Sequence, residues 1–495
     1  MKLINMIAQL DTIEIKGSLQ INISGIAYNS NEVKDNYIFV AIDGFKMDGN
    51  EYIKAAISKG AKALVTSRNI IAPEGITVIK VVDTRKALSY LSSIFYDEPS
   101  KELELIGITG TNGKTTTTYF VKAILDACKL NTSLIGTIET IINGRHRSSS
   151  YTTPESLELH GMFRNMVKEK VDACVMEVSS HAIALSRVDY CSFNVGVFTN
   201  LTHEHLDFHG NMENYYNTKK QLFYKTKDFN VINIDDSYGA RLAKEIKDNG
   251  ARLLTYGINR LADINADNIA LYESFSEFTF NTPDQNINIK INLPGIYNIY
   301  NGLAAAASCY ALGIDIKYIK EGLEAVTRVP GRFELVPTNR NINIIIDYAH
   351  TPDGFEKVLE TINKFYEGRK IIVFGCVGER DRTKRSVMGK IAEQYCDLCV
   401  LTTDNCRSED PEKIIDDIKR GFINGSESYI EILDRAEAIR HAILHSVDRD
   451  TIIITGKGHE RRQIIGNNVM TFNEREIIDN VLKEISATAS YNNFS

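Results

Sequence analysis

Short apolar runs alternate with amphipathic segments along most of the chain. The runs at 104–110, 171–180 and 192–201 have the composition of buried strands. The stretches at 115–129 and 154–170 place apolar residues at helical spacing. Strands that alternate with helices in this way predict a mainly parallel sheet with helices on both faces.

The alternation stops at 327–336, where Pro330 and Gly331 interrupt a helix, and then begins again. Strand-like runs at 341–349, 369–377, 397–405 and 450–458 follow, with helical segments between them. The pattern predicts an α/β protein of three domains, at 1–98, 99–329 and 330–495. We expect a small N-terminal α/β domain, a central P-loop mononucleotide-binding domain with a parallel sheet, and a C-terminal Rossmann-like domain.

Composition narrows the class of protein. The 495 residues are 43% hydrophobic and 24% charged, as in ordinary globular proteins. The net charge of −7 argues against a nucleic-acid partner. Because Asp11 and Glu14 lie where a signal peptide would be apolar, and no long apolar run occurs, we expect a cytoplasmic protein without a membrane partner. Cys396 and Cys399 could form a redox or zinc pair, but a buried strand explains them better because no second pair of cysteines follows.

The strongest motif lies between the strand at 104–108 and the helix after it. It reads Thr109-Gly110-Thr111-Asn112-Gly113-Lys114-Thr115-Thr116. Glycines let backbone N–H groups approach a phosphate, and the helix N-terminus and Lys114 supply positive charge. Thr115 offers a hydroxyl to Mg²⁺. The motif predicts an ATP site, and the alternative is a glycine turn that only caps a helix.

Two further stretches offer groups for a metal ion. Glu177 ends a predicted strand of the parallel sheet, where a carboxylate would face the ligand crevice, and helix capping is the alternative. His203, His205 and His209 follow in one short stretch. Neither cysteines nor a helical H-E-x-x-H spacing accompanies them, so the sequence does not favour zinc.

The segment GTNGKTT at 110–116 resembles that of the Mur ligase and folylpolyglutamate synthetase superfamily. The stretch NLTHEHLDFHG at 200–210 is similar to the Mur ligase pattern N-L-x-x-D-H-L-D-x-H-G, with Glu204 at the usual aspartate. The resemblance implies that Thr115, Glu177 and His205 bind Mg²⁺. It also implies that Lys219, in NMENYYNTK, is carbamylated to N6-carboxylysine and binds a second Mg²⁺. Lys114, Lys219, Glu177 and His205 would then be the catalytic residues.

The resemblance extends over the chain and implies three groups of binding residues. On the ATP side, beyond the loop, these are Asn298, Asn301, Arg332 and Asp347. For the UDP-MurNAc-dipeptide they are Ser30, Thr152, Thr153, Ser179 and Arg187. For the amino acid they are Arg380, Asp404, Asn405, Cys406, Arg407, Gly456 and Glu460. Two asparagines flank Ser30 where the family has Asp and Arg, and Cys406 replaces a proline.

The D-N-x-R segment at 404–407 resembles that of members which add meso-diaminopimelate. An arginine can bind a distal carboxylate through two hydrogen bonds, whereas it would repel the ammonium of lysine. The resemblance implies a monomeric ligase that uses ATP and Mg²⁺ to join meso-diaminopimelate to the D-Glu of UDP-MurNAc-L-Ala-D-Glu through an acyl phosphate. A lysine-adding ligase, a folylpolyglutamate synthetase-like ligase and a silent nucleotide-binding module are the alternatives.

Overall fold

The computed structural model describes residues 1–44, 47–425 and 427–492. In the N-terminal part, a five-stranded sheet has the order β1-β5-β4-β3-β2, and only β1 is antiparallel to its neighbour. Its elements are α1 (Leu3–Met6), β1 (Thr12–Lys16), β2 (Gly25–Ala27), β3 (Tyr37–Val40), α2 (Ile53–Ser58), β4 (Ala61–Thr66), β5 (Thr77–Val81) and α3 (Thr84–Phe95).

The central part is built on an eleven-stranded sheet. Its first elements are β6 (Glu104–Thr109), α4 (Lys114–Ala127), β7 (Thr132–Ile135), β8 (Glu139–Ile142), β9 (Arg145–Ser148), α5 (Ser156–Lys168), β10 (Ala173–Glu177), α6 (Ser180–Ala184) and β11 (Val195–Phe198). The others are α7 (Leu206–His209), α8 (Met212–Lys220), β12 (Phe229–Asn233), α9 (Ser237–Asp248), β13 (Leu253–Gly257), β14 (Ile264–Leu271), β15 (Ser276–Asn281), β16 (Asn286–Ile291), α10 (Ile296–Ala311) and α11 (Ile316–Ala325).

The C-terminal part contains a six-stranded sheet and a two-stranded hairpin. Its elements are β17 (Glu334–Leu335), β18 (Asn343–Asp347), α12 (Pro352–Phe365), β19 (Lys370–Phe374), α13 (Thr383–Tyr395), β20 (Leu398–Leu401), α14 (Pro411–Lys419), β21 (Tyr429–Glu431), α15 (Arg435–Leu444), β22 (Thr451–Thr455), β23 (Arg462–Ile465), β24 (Asn468–Thr471) and α16 (Glu474–Asn492).

Both larger sheets have cores on both faces. In β6, Leu105 packs with α5, α8 and α9, whereas its neighbour Ile106 packs with α4, α10 and α11. In β19, Ile371 and Ile372 divide in the same way between two clusters. Successive side chains of a strand point to opposite faces, so strands covered on both sides appear as continuous apolar runs. The predicted α/β alternation is therefore confirmed, and the part of the chain with described structure contains no helix long and apolar enough to span a membrane.

The order of the strands determines where the functional loops meet. In the central sheet β11, β6 and β10 are parallel neighbours, so the loops after Thr109, Glu177 and Phe198 leave from one edge. In the C-terminal sheet β18, β22, β19 and β20 are parallel neighbours, and the loops after them also share an edge. Carboxyl ends of parallel strands are where ligands bind in α/β sheets. Three antiparallel strands, β14 to β16, extend the central sheet where the sequence patterns predict no strands.

Candidate active site

The phosphate loop joins β6 to α4 as the sequence predicts. Gly110 and Gly113 have φ values of 151° and 87°, which disfavour other residues. A Cβ on Gly110 would lie 1.9 Å from Oγ1 of Thr199, and a Cβ on Gly113 would lie 2.3 Å from Oδ1 of Asn301. Close packing from the neighbouring strand and from α10 therefore requires both glycines. The backbone N–H of Asn112 donates to the side chain of Asn200 at 2.9 Å, which also braces the loop.

Lys114 begins α4 and its ammonium folds back over the loop. Its Nζ donates to the carbonyls of Gly110 and Thr111, both at 2.8 Å. Burial lowers the pKa of Lys114, and the carboxylates of Glu177 and Glu204 oppose that shift. An ammonium held over a glycine loop at a helix N-terminus is suited to an anionic phosphate.

Thr115 and Glu177 form the oxygen-rich part of the site. Oγ1 of Thr115 donates to Oε1 of Glu177 at 3.0 Å, so the hydroxyl and the carboxylate lie side by side. Thr137 holds the same carboxylate through its N–H at 2.7 Å and its hydroxyl at 3.0 Å. Hydroxyl and carboxylate oxygens are the ligands that Mg²⁺ prefers, so this pair fits the expected magnesium site.

His205 lies in the left-handed region, with φ 55°, and immediately precedes α7. Its ring packs edge-on against His181, with centroids 4.8 Å apart. Burial lowers the pKa of His205 to about 3, so its imidazole is neutral at physiological pH and keeps a lone pair for a metal ion. No group of three His, Cys, Asp or Glu side chains in 1–44, 47–425 and 427–492 is arranged for a metal ion, but the expected set also uses Thr115 and a modified lysine.

Lys219, on α8, is buried behind the phosphate loop rather than in the open cleft. Its Nζ donates to the carbonyl of Gly110 at 2.9 Å and lies 4.8 Å from the centre of the Tyr215 ring. Burial and the nearby charge of Lys114 lower the pKa of Lys219 well below its usual range. A larger fraction of this amine is therefore neutral than in an exposed lysine, and the neutral amine is the form that reacts with CO₂.

The C-terminal domain reaches the loop through Arg332. Its Nη2 donates to Oγ1 of Thr115 at 3.2 Å, and its guanidinium lies 4.5 Å from the centre of the Tyr348 ring. Asp347 holds the chain here by accepting from the N–H groups of Phe333 at 2.6 Å and Ala349 at 2.7 Å. Burial raises the pKa of Asp347, while Arg332 opposes that shift. Asp347 therefore shapes the segment that carries Arg332.

The residues predicted for the UDP-linked dipeptide line the same cleft, except for Ser30. Thr153 donates to the carbonyl of Glu177 at 2.8 Å, and Arg187 donates to the carbonyl of Thr153 at 3.0 Å. Ser30 begins a short 3-10 turn of the N-terminal domain and does not line this cleft. That domain contacts the central one where the hydroxyl of Tyr28 donates to Glu158 at 2.9 Å.

The predicted amino-acid pocket is assembled from three loops of the C-terminal domain, after β19, β20 and β22. Arg407 has φ 54°, and its N–H donates to the carbonyl of Ile464 at 3.1 Å. Burial and the charge of Arg380 lower the pKa of Arg407. Nδ2 of Asn405 donates to Oε2 of Glu460 at 2.9 Å. The guanidiniums of Arg380 and Arg407 and the carboxylate of Glu460 thus line the same cleft, which suits a ligand with both charges.

A single cleft of about 840 Å³ gathers most of these groups. Among the predicted residues, its lining consists of Thr111, Asn112, Gly113, Lys114, Thr115, Thr152, Thr153, Glu177, Ser179, Arg187, His205, Asn298, Asn301, Arg332, Asp347, Arg380, Asn405, Arg407, Gly456 and Glu460. The predicted residues outside that lining are Thr109, Gly110, Lys219, Asp404, Cys406 and Ser30.

The sequence patterns assigned no role to Glu204, His350 and Lys384, which also join the two domains across the cleft. Oε1 of Glu204 lies 3.2 Å from Nε2 of His350 and 3.8 Å from Nζ of Lys384. Although burial opposes ionisation, the interactions with His350 and Lys384 hold the pKa of Glu204 well below its usual range. In a second contact between the same two domains, the side-chain amide of Asn112 donates to Asp353 at 2.9 Å. Glu204 lies in the segment NLTHEHLDFHG and His350 in DYAHTP, so the motifs could have indicated them but not their pairing.

A strand–glycine loop–helix unit with an adjacent hydroxyl–carboxylate pair, closed by a second domain that carries an arginine, defines a P-loop enzyme. Three family models match the chain: Mur ligase family, catalytic domain at 22–96, Mur ligase middle domain at 108–309, and Mur ligase, glutamate ligase domain at 331–458. The chain belongs to the Mur ligase family and is an ATP-dependent ligase.

The comparisons also find similar proteins of known name. A UDP-N-acetylmuramoyl-L-alanyl-D-glutamate–2,6-diaminopimelate ligase from Alkaliphilus metalliredigens (strain QYMF) is 47% identical over 484 residues, 98% of each chain. The ligase of that name from Caldanaerobacter subterraneus subsp. tengcongensis is 46% identical over 471 residues, 95% of this chain and 97% of its own. A solved structure of a ligase of that name is 26% identical, with a TM-score of 0.69 over 98% of this chain and 99% of its own.

Proposed function

We propose that the enzyme joins 2,6-diaminopimelate, in its meso form, to the D-Glu of UDP-MurNAc-L-Ala-D-Glu at the expense of ATP. The observation that carries the proposal is the single cleft, in which Lys114 and Thr115 face Arg380, Arg407 and Glu460 of another domain. The names of relatives that are 46–47% identical over nearly their full length support the same substrates. The reaction places an anionic acid, an anionic triphosphate and a zwitterionic amino acid in one cavity.

The first step is phosphoryl transfer. An oxygen of the D-Glu γ-carboxylate attacks the γ-phosphorus of ATP, and the bond from that phosphorus to the β-phosphate oxygen breaks. The products of this step are an acyl phosphate and ADP. Both reactants are anionic, so positioning and neutralisation of charge are the main requirements. Lys114 would lie against the phosphates, and Arg332, 3.2 Å from Thr115, would add a second cation from the C-terminal domain.

The second step forms the amide. The deprotonated amine of the amino acid attacks the acyl carbon, and phosphate leaves. Glu460 would accept a hydrogen bond from the distal ammonium, while Arg407 would bind the distal carboxylate. Lysine lacks that carboxylate, so it would leave the Arg407 guanidinium unpaired in the pocket. Closure of the two domains over the cleft would exclude water from the acyl phosphate.

Mg²⁺ forms part of the proposal. Thr115, Glu177 and His205 would hold it, and it would neutralise charge on the phosphates. We also propose that Lys219 carries a carbamate, formed when its neutral amine takes up CO₂ and releases a proton. The buried amine beside the phosphate loop supports this modification. Mass spectrometry under native conditions is expected to find 44 Da, about the mass of CO₂, on Lys219, and an unmodified Lys219 in active enzyme would contradict this part of the proposal.

The proposal assigns one ligand to each domain. Residues 1–98 would bind the uridine end of the nucleotide substrate with Ser30, 99–329 would bind ATP, and 330–495 would bind the amino acid. We further propose that the enzyme acts as a cytoplasmic monomer in the synthesis of peptidoglycan precursors. Analytical ultracentrifugation and cell fractionation test the last two statements.

The deciding experiment is phosphate release from ATP with UDP-MurNAc-L-Ala-D-Glu and one amino acid at a time. Turnover is expected with meso-diaminopimelate, with L-lysine at least tenfold less efficient, since an arginine cannot pair with its ammonium. Turnover with L-lysine alone would assign the enzyme to the lysine-adding ligases. Turnover with a folate and glutamate would indicate a folylpolyglutamate synthetase, and nucleotide binding without phosphate release would indicate a silent module.

A further inference from the structure

Lys457 is wholly buried beneath the amino-acid pocket, and the proposed function gives it no role. It follows Gly456 at the carboxyl end of β22 and does not line the cleft. Its Nζ donates to Oε2 of Glu460 at 2.9 Å and to Oδ1 of Asn405 at 3.1 Å. It also lies 3.6 Å from Oδ1 of Asp404. One ammonium thus contacts Glu460 and Asn405, which line the cleft, and Asp404, which does not.

These contacts join two loops that are distant in sequence. Asp404 and Asn405 follow β20, whereas Glu460 follows β22, and the bond from Lys457 to Asn405 spans 52 residues. Asn405 closes the arrangement, because its Nδ2 donates to the same Oε2 of Glu460 at 2.9 Å. Its Oδ1 also accepts from the N–H of Ile464 at 2.9 Å, which ties the hairpin β23–β24 to the loop.

The arrangement orients Glu460 toward the ligand. Both donors bind Oε2 of Glu460, whose side chain is 30% exposed and lines the cleft. Without Lys457, the carboxylates of Asp404 and Glu460 would lose the cation that both contact, and their repulsion would turn Glu460 away. Asn405 would also lose a donor to its Oδ1.

We infer that Lys457 is a positioning residue that sets the orientation of Glu460 and Asn405 for the distal end of the incoming amino acid. The inference rests on the proposed function, because it requires an amino acid in this pocket. Lys457 acts on amide formation and not on phosphoryl transfer, since its contacts lie in the loops after β20 and β22 and none of its bonds reaches the phosphate loop.

The test separates the two half-reactions in Lys457→Met. The KM for meso-diaminopimelate is expected to rise about ten- to hundredfold, the usual effect of losing hydrogen bonds to a charged group. The KM for ATP is expected to stay within about twofold of wild type. Formation of the acyl phosphate, trapped by hydroxylamine as a hydroxamate without any amino acid, is expected to continue at the wild-type rate.

Two variants complete the design. Lys457→Arg keeps the cation and is expected to recover part of the lost affinity. Lys419→Met is the matched control, because Lys419 also contacts two carboxylates in this domain, Asp416 at 2.8 Å and Glu431 at 3.0 Å, but outside the cleft. The control is expected to keep both KM values. Should Lys457→Met not fold, Lys457→Gln removes the charge and keeps a polar side chain.

Three results would overturn the inference. The first is an unchanged KM for meso-diaminopimelate in Lys457→Met and Lys457→Gln. The second is a parallel loss of hydroxamate formation, which would show a general effect on folding. The third is equal damage in Lys457→Arg and Lys457→Met, which would show that the cation has no part. A wild-type enzyme that uses no diamino acid would instead refute the proposed function, and this inference with it.

Discussion

The phosphate loop and the amino-acid pocket face each other across one cleft but are built differently. The loop is one continuous segment, and its shape depends on Gly110 and Gly113, which have positive φ and meet their neighbours closely. The pocket combines loops after three strands, and its acidic residues contact a cation, Lys457, that lies outside the cleft lining. Backbone geometry therefore shapes the phosphate loop, whereas long-range side-chain contacts shape the proposed amino-acid pocket.

The largest expected effect is on the rate of phosphate release and comes from a substitution in the phosphate loop. Lys114→Ala is expected to slow phosphate release about 10²–10³-fold or more, because it removes a charge that opposes the repulsion between carboxylate and triphosphate. The fold should persist, since both of these bonds of the Lys114 ammonium stay within its own loop, at the carbonyls of Gly110 and Thr111. Steady-state kinetics and thermal unfolding measure the two quantities.

Lys122→Ala is the control for that variant. Lys122 lies on the same helix and pairs with Asp126 at 2.7 Å, outside the cleft. Phosphate release by Lys122→Ala should be as fast as that of the wild type. Wild-type turnover in Lys114→Ala would remove the loop from the mechanism.

The next largest effect is expected on the KM for the amino acid and comes from a substitution in the proposed amino-acid pocket. Arg407→Ala is expected to raise the KM for meso-diaminopimelate about tenfold to a hundredfold and to leave the KM for ATP unchanged, because a bidentate contact to the carboxylate is lost. Arg407→Lys should recover little, since an ammonium cannot make both hydrogen bonds. Initial rates at varied concentrations of each substrate measure the two constants.

Arg420→Ala serves as a control, because Arg420 is an exposed arginine of the same domain that pairs with Asp417 at 2.8 Å. It should leave both constants unchanged. If Arg407→Ala raised the KM for ATP as much as that for the amino acid, the loop and the pocket would not be separable.

The smallest effect on activity is expected at His160, which lies in α5, outside both regions. Burial lowers its pKa to about 4, and its ring nitrogens have no hydrogen-bond partner in the described part of the chain. In the unfolded chain its pKa is about 6.5, so stability from this residue is present above that pH and is lost as pH falls toward 4. At pH 5 the loss is about 2 kcal/mol.

His160→Leu is therefore expected to lose about 2 kcal/mol less free energy of unfolding than the wild type between pH 7 and pH 5. Urea unfolding at the two pH values measures this difference, and activity at pH 7 should not change. Equal losses in both proteins would show that His160 is not buried in its neutral form.

The sequence by itself determined the local features. Continuous apolar runs and helical spacing predicted the alternating strands and helices, and the glycines with Lys114 and Thr115 predicted the phosphate loop. These follow from the chain because periodicity and loop chemistry act between residues close in sequence. The antiparallel strands β14 to β16 were missed, since the apolar residues of β15 and β16 alternate with polar ones and do not form a continuous apolar run.

Only the tertiary structure decided which distant side chains meet. Lys457 and Asn405 join the loops after β22 and β20 of one sheet. Glu204, in the loop after β11 of the central sheet, meets His350 after β18 and Lys384 in α13 of the C-terminal part. Strand order brings the first two loops to one edge of the C-terminal sheet, whereas the second group meets because the two domains close on each other, and burial then requires each charge to find a partner. No spacing along the chain encodes such a pairing, because it depends on how the sheets pack and how the domains close.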